Sequence, residues 1–155
     1  MALSVENYIP YQPNAQGLTE ALLDLKSSMG TSSVFKVTGY EAVAFENVTQ
    51  GDALYARASD GQVGRAIAND TFDKALVAGV AETTKPAGQS VKVIVAGIVA
   101  TSGLNAGDQY FLSAASPGAI NETPPSTASQ YVTRVGEAGS TGQFIVNPER
   151  PILLS

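Results

Sequence analysis

Two glutamates are the side chains in this sequence with the clearest potential for chemistry. Glu82 ends the run Val77–Ala81, and Glu137 ends a related run that starts at Tyr131. A pair of carboxylates roughly 5 to 9 Å apart is the machinery of a glycosidase. The chain has no tryptophan to serve as a sugar platform, and two exposed glutamates at strand ends explain the same pattern. We therefore predict no catalytic residue and a protein that is not an enzyme.

The other residue types that support catalysis or metal binding are scarce. The chain has no histidine and no cysteine, which removes histidine-based triads, most zinc sites, disulfides and thiolate chemistry. The segment Asn69–Asp73 loosely resembles a calcium loop but lacks the ligand spacing and the closing glutamate. We expect no metal and no cofactor.

An imperfect internal repeat organises the chain. The segment Gly51–Arg57 returns as Gly107–Ser113, and Leu76–Glu82 returns as Tyr131–Glu137. Turn glycines and alternating apolar positions persist between the copies, whereas most polar side chains change. The two copies thus preserve the positions that determine the fold but not the polar side chains that could catalyse a reaction. This pattern favours a structural protein over an enzyme.

The amino-acid composition indicates which kinds of molecule this protein is expected to bind. Of the 155 residues only 15% are charged, and the net charge is −5, so much of the surface is neutral and easy to desolvate against another chain. This favours a homo-oligomer. The nine basic residues are scattered, which argues against nucleic acid and anionic membranes as partners. The start lacks the features of a signal peptide and no apolar run is long enough to span a bilayer, so we expect a protein that is made in a cytosol and stays soluble.

The first 30 residues divide into an arm and a helix. Pro10 and Pro13 favour extended backbone over residues 1 to about 15. Aromatic and apolar side chains on such an arm suit a groove, so we predict that it binds a partner through Tyr8, Ile9, Pro10, Tyr11 and Pro13.

A helix is predicted over about residues 15–29, ending at Gly30. Its single apolar stripe consists of Leu18, Leu22, Leu25 and Met29. This stripe either packs on the chain's own sheet or forms an oligomer interface.

Residues 31–155 are predicted to form an all-β domain, a small barrel or sandwich with two related units at about 51–97 and 107–147. The turns Ser59–Gln62 and Ser116–Ala119 separate short apolar runs, as in hairpins. Further strands are expected at Leu76–Ala81, Val91–Val99, Tyr131–Val135 and Phe144–Val146. The tail Pro148–Ser155 is expected to supply an edge strand or a second docking segment.

These residues resemble a known family. The segments Asp52–Tyr55, Asp60–Gly64, Val77–Thr83 and Val91–Gly97 look like the β-domain of bacteriophage head-decoration (cement) proteins. The arm Tyr8–Pro13 is similar to the extended arms by which such proteins grip the capsid. The resemblance covers about residues 50–150 plus the arm. The same pattern of turns and strands occurs in tail-fibre and baseplate proteins.

The resemblance implies a virion structural protein that binds the outer surface of the phage head and stabilises the expanded shell by bridging major capsid proteins. It implies synthesis in the cytoplasm of a bacterial host and a final location on the capsid surface. It implies a trimer, or less often a dimer. The alternatives are a tail-fibre or baseplate component and, from another class, a carbohydrate-binding module.

Overall fold

The computed structural model describes residues 37–155. The predicted arm, the predicted helix at 15–29 and every site residue named above in those two segments lie outside this range. Within it the protein is mostly β, with a large curled antiparallel sheet and almost no helix. The predicted all-β fold is confirmed.

The described elements are eleven strands and one helix of four residues, α1 (Phe72–Ala75). The strands are β1 (Thr38–Val43), β2 (Ala53–Ala56), β3 (Val63–Arg65), β4 (Gly79–Ala81), β5 (Ser90–Ala100), β6 (Gln109–Leu112), β7 (Ile120–Asn121), β8 (Tyr131–Val132), β9 (Arg134–Ser140), β10 (Gln143–Val146) and β11 (Ile152–Leu153).

The sheet repeats one topology twice. Its order is β3-β2-β4-β5-β10-β9-β6-β7, so that β2–β5 form a first unit and β6, β7, β9 and β10 form a second unit with matching neighbours. The units join where β5 pairs antiparallel with β10, at Ile98 opposite Ile145. The duplication read in the sequence therefore corresponds to a duplication of strand pairing.

The turns that open the two units share their geometry. Gly51 has φ +90° and Gly107 has φ +87°, in the left-handed region that glycine adopts without strain. The Gly51 N–H donates to the Ala81 carbonyl at 2.9 Å, and the Gly107 N–H donates to the Ala138 carbonyl at 2.7 Å. The preserved glycines thus anchor equivalent turns to equivalent strands.

Two cores lie on opposite faces of the first unit. In β5, Val91 and Val93 belong to the smaller core, whereas Ile94 belongs to the larger core that continues into the second unit. A parallel bridge between Ala44 and Val63 ties the end of β1 to β3, which encloses the smaller core. β5 is therefore buried on both faces at Val93 and Ile94, whereas Val95 and Ala96 are exposed. The predicted burial on both faces holds for only part of this strand.

Two boundaries differ from prediction. Leu76–Ala78 was expected to be strand, but Leu76 caps α1 and the strand begins at Gly79. Thr71 caps the other end, because its side chain accepts a hydrogen bond from the Lys74 N–H. The expected strand Tyr131–Val135 is broken at Thr133, whose buried hydroxyl donates to the Ala75 carbonyl at 2.9 Å.

Candidate interaction surface

The two glutamates considered as a catalytic pair are far apart. Glu82 follows β4 and Glu137 lies in β9, with β5 and β10 between them. Glu82 lies beside Lys92 of β5, whereas Glu137 lies opposite Ile145, which is itself opposite Ile98 of β5. Lys92 and Ile98 are about 20 Å apart along that strand, well beyond the span of a glycosidase pair. Each carboxylate instead forms an ion pair at 3.4 Å, Glu82 with Lys92 and Glu137 with Arg134.

The segment compared with a calcium loop is used in local structure. The Asp70 carboxylate pairs with Lys74 at 2.6 Å, and Thr71 caps α1. Within residues 37–155 no group of three or more acidic, histidine or cysteine side chains is placed to hold a metal ion.

Exposed apolar side chains gather instead near the C-terminal strand. We define the C-terminal surface by Phe72, Tyr131 and Leu153, because Leu153 lies opposite Tyr131 and the Phe72 ring packs on the Tyr131 ring. Ile152, the neighbour of Leu153 in β11, faces the opposite side of this strand pair. Ile152 and Leu153 are 66% and 58% exposed, the highest values among the large apolar side chains of the described residues. Phe72 and Leu76 are also exposed. Solvating so many apolar atoms is costly, so a cluster of this kind marks a contact surface.

Strand pairing holds β11 in place. Leu153 lies opposite Tyr131, and Ile152 lies opposite Val132. The Leu154 N–H donates to the Gln130 carbonyl at 2.8 Å, which directs the polar groups of Leu154 toward β8. Because these groups alternate along a strand, the N–H and C=O of Leu153 point to the outer edge. The structure thus confirms the tail as an edge strand.

The helix side of the C-terminal surface is held by aromatic contacts. The Phe72 ring meets the Tyr131 ring edge-to-face at 6.0 Å, and the Arg150 guanidinium lies 5.9 Å from the Phe72 ring centre. Leu76 lies one turn after Phe72 and donates its N–H to the Phe72 carbonyl at 2.9 Å. Short α1 therefore places the Phe72 ring against Tyr131, the residue that lies opposite Leu153 of the last strand.

A second exposed apolar area, the β1 surface, lies on the first unit. It consists of Tyr40 and of Val95 in β5, which lies two residues after Val93, the residue opposite Tyr40; both are exposed. Val43 is exposed as well, but it lies three residues from Tyr40 along β1 and faces the other side of the sheet. Partial burial raises the pKa of the Tyr40 hydroxyl above its ordinary value, so this group stays a neutral donor at physiological pH. The two surfaces belong to different sheets, because β1 pairs with β5 and β11 pairs with β8.

Comparison with known proteins gives no family. No protein-family model matches the chain, and no curated protein matches it. Among the helices of residues 37–155, none is long and apolar enough to cross a membrane.

The sequence pointed to only part of the C-terminal surface. The apolar tail was readable as a docking segment, but the participation of Phe72 was not, because no strand or helix was predicted at that residue. A Thr followed by Phe–Asp–Lys–Ala is compatible with a capped helical turn, which is the signal that locates it.

Proposed function

We propose that this protein is a non-enzymatic virion structural protein, a decoration (cement) protein that binds the outer surface of a phage head and bridges major capsid proteins. The observation that carries this proposal is the separation of roles among its described side chains. Several charged side chains form ion pairs between segments that are separate in the sequence, such as Arg65 with Glu46 and Arg134 with Glu149. Exposed large apolar side chains form the C-terminal surface and the β1 surface.

Two apolar surfaces on different sheets suit a bridging subunit. Each is too small to bind tightly by itself, since stable interfaces bury about 1,200 to 2,000 Å² in total. Repeated contacts on a lattice multiply weak affinities through effective concentration. Binding only to the expanded shell stabilises that state of the shell, as any ligand stabilises the state it binds.

The remaining parts of the proposal concern residues 1–36. We propose that the arm binds the capsid through five residues, Tyr8, Ile9, Pro10, Tyr11 and Pro13. We place the oligomer interface, of a trimer in preference to a dimer, on Leu18, Leu22, Leu25 and Met29. What supports these assignments is the sequence pattern and the resemblance described above.

Cosedimentation with expanded phage heads tests the proposal. We expect the full chain to pellet with heads, a variant lacking residues 1–14 to lose binding, and Leu153→Asp to weaken it. Leu153 is exposed, so the aspartate should leave the fold intact, as circular dichroism can verify. Thr123→Asp, a change in the exposed loop after β7, serves as the matched control and should bind normally.

Absence of binding by the full chain would refute the head assignment. Labelling the chain on intact virions then separates the alternatives, because a tail-fibre or baseplate component would be seen on the tail. Normal binding by the variant without residues 1–14 would refute the role of the arm alone.

A further inference from the structure

A cleft on the first unit has the composition of a small-molecule site. It has a volume of about 340 Å³ and lies between the segment after β1, strand β3 and the segment that leads into α1. Its polar side chains are Glu46, Arg65, Asn69, Asp70 and Lys74. It is separate from the C-terminal surface and the β1 surface, which share no residue with it.

The four charges of the cleft already pair with one another. Arg65 Nη2 lies 3.0 Å from Glu46 Oε2, and Lys74 Nζ lies 2.6 Å from Asp70 Oδ2. All four side chains are between 31% and 41% exposed, so they remain accessible from the cleft. The net charge of these pairs is zero, and an ionic ligand would have to compete with existing ion pairs.

Hydrogen-bonding capacity remains after these pairs form. The Lys74 ammonium carries three hydrogens and the Asp70 carboxylate two oxygens, of which the pair uses one each. The buried Arg65 Nε has no hydrogen-bond partner. The side-chain amide of Asn69 makes no hydrogen bond with other groups of residues 37–155 and offers both a donor and an acceptor.

Apolar groups form the rest of the cleft. Phe45 packs edge-to-face on Tyr55 with ring centres 6.0 Å apart, and the Arg57 guanidinium lies over the Phe45 ring at 4.3 Å from its centre. The apolar lining that remains beside this ring comes from Ile67 and Pro117. A Cβ at Gly64 would lie 2.2 Å from the Phe45 ring and 2.7 Å from Glu46 Oε1. The glycine is therefore required for these two side chains to take their places in the cleft.

We infer that this cleft binds a neutral saccharide unit. A pyranose presents an apolar C–H face together with neighbouring hydroxyls that each donate and accept hydrogen bonds. Those hydroxyls can use the remaining capacity of Asn69, Asp70 and Lys74 without breaking the ion pairs. The inference stands on the cleft alone and does not rest on the proposed virion function.

Chemical-shift titration of the ¹⁵N-labelled full chain tests the inference. The probes are glucose, galactose, mannose and N-acetylglucosamine, each added separately. We expect at least one to bind with a dissociation constant on the order of 1 mM, with shifts concentrated at Asn69, Asp70 and Arg65. Glycine is added as a zwitterionic comparison.

Variants assign the binding to the cleft. Asn69→Ala removes the free amide and should weaken binding by about fivefold, the loss expected for one hydrogen bond. Glu137→Gln, which breaks an exposed ion pair in the second unit, should leave binding unchanged. The inference is overturned if no sugar shifts the cleft residues at 50-fold or greater excess over protein, or if glycine binds more tightly than every sugar. It is equally overturned if folded Asn69→Ala, verified by its own spectrum, binds as the parent does.

Discussion

The side chain of Phe144 should stabilise both units at once. It is fully buried in β10, opposite Val99 of β5 and Ala138 of β9. Its ring also meets Tyr110 edge-to-face at 5.9 Å and 86°. Replacing a buried phenylalanine by alanine removes its transfer free energy and leaves a cavity, at a cost of 3 to 5 kcal/mol. Because no part of this ring is exposed, we expect Phe144→Ala to lower the free energy of unfolding by about 4 kcal/mol.

Urea denaturation followed by tyrosine fluorescence and circular dichroism measures this loss. Both signals should report one transition, because the larger core runs through the β5–β10 junction. Phe144→Leu keeps most of the volume and should cost about 1.5 kcal/mol. Phe72→Ala is the matched control, since Phe72 is 37% exposed and its truncation should cost about 1 kcal/mol.

Two outcomes would refute this reasoning. A loss below about 2 kcal/mol for Phe144→Ala would mean that the junction is not a packed core. Two separate transitions would mean that the duplicated units unfold independently and that β5–β10 pairing does not couple them.

Three further perturbations test the junction, the helix and an acidic turn. Gly136→Ala places a Cβ 2.0 Å from the Ile145 carbonyl oxygen, and should cost about 3 kcal/mol because a paired backbone cannot yield; urea denaturation measures it. Thr133→Val removes the hydroxyl that donates to the buried Ala75 carbonyl, and should cost about 1 to 2 kcal/mol and speed amide exchange in α1. Burial raises the folded-state pKa of Asp52 above 3.8, so its protonated form is favoured by folding and stability falls as pH rises through that folded-state pKa. Asp52→Asn should therefore lose this pH dependence and be the more stable protein at pH 7, as denaturation midpoints from pH 3 to 7 would show.

Each of the three predictions for Gly136, Thr133 and Asp52 has a control or an outcome that would contradict it. Gly142→Ala, whose Cβ would find its nearest neighbour at 3.5 Å, should be nearly neutral, and a loss equal to that of Gly136→Ala would contradict the clash. Thr133→Ser keeps the hydroxyl and should preserve slow exchange in α1. A wild-type midpoint that rises with pH relative to Asp52→Asn would contradict the sign assigned to Asp52.

The chain's periodicity allowed much of the fold to be predicted. Alternating apolar residues and turn glycines are local properties, and they indicated the strands of both units and the turns at Gly61 and Gly118. Both glycines have positive φ, at +73° and +79°, which is the conformation those turn sequences favour. The apolar tail was likewise readable as an edge strand.

The candidate sites were less predictable because they combine residues that are distant in the sequence. Phe72 contacts Tyr131, although strands β4 to β7 lie between these two residues in the sequence. Asn69 likewise lines the same cleft as Glu46. A local sequence pattern does not indicate which distant residues will be in contact in the folded protein. The short helix α1 was missed for a related reason, since four residues give no measurable periodicity and a tertiary hydrogen bond from Thr133 helps to hold it.

The sequence by itself determined the all-β class, the duplication and the absence of histidine and thiol chemistry, because these follow from composition and short-range pattern. Only the tertiary structure decided that the duplicated units share one core, that Glu82 and Glu137 are held apart, and which apolar side chains remain in water. The physical reason is that strand order and packing bring together residues remote along the chain, and contact, separation and exposure are properties of that arrangement.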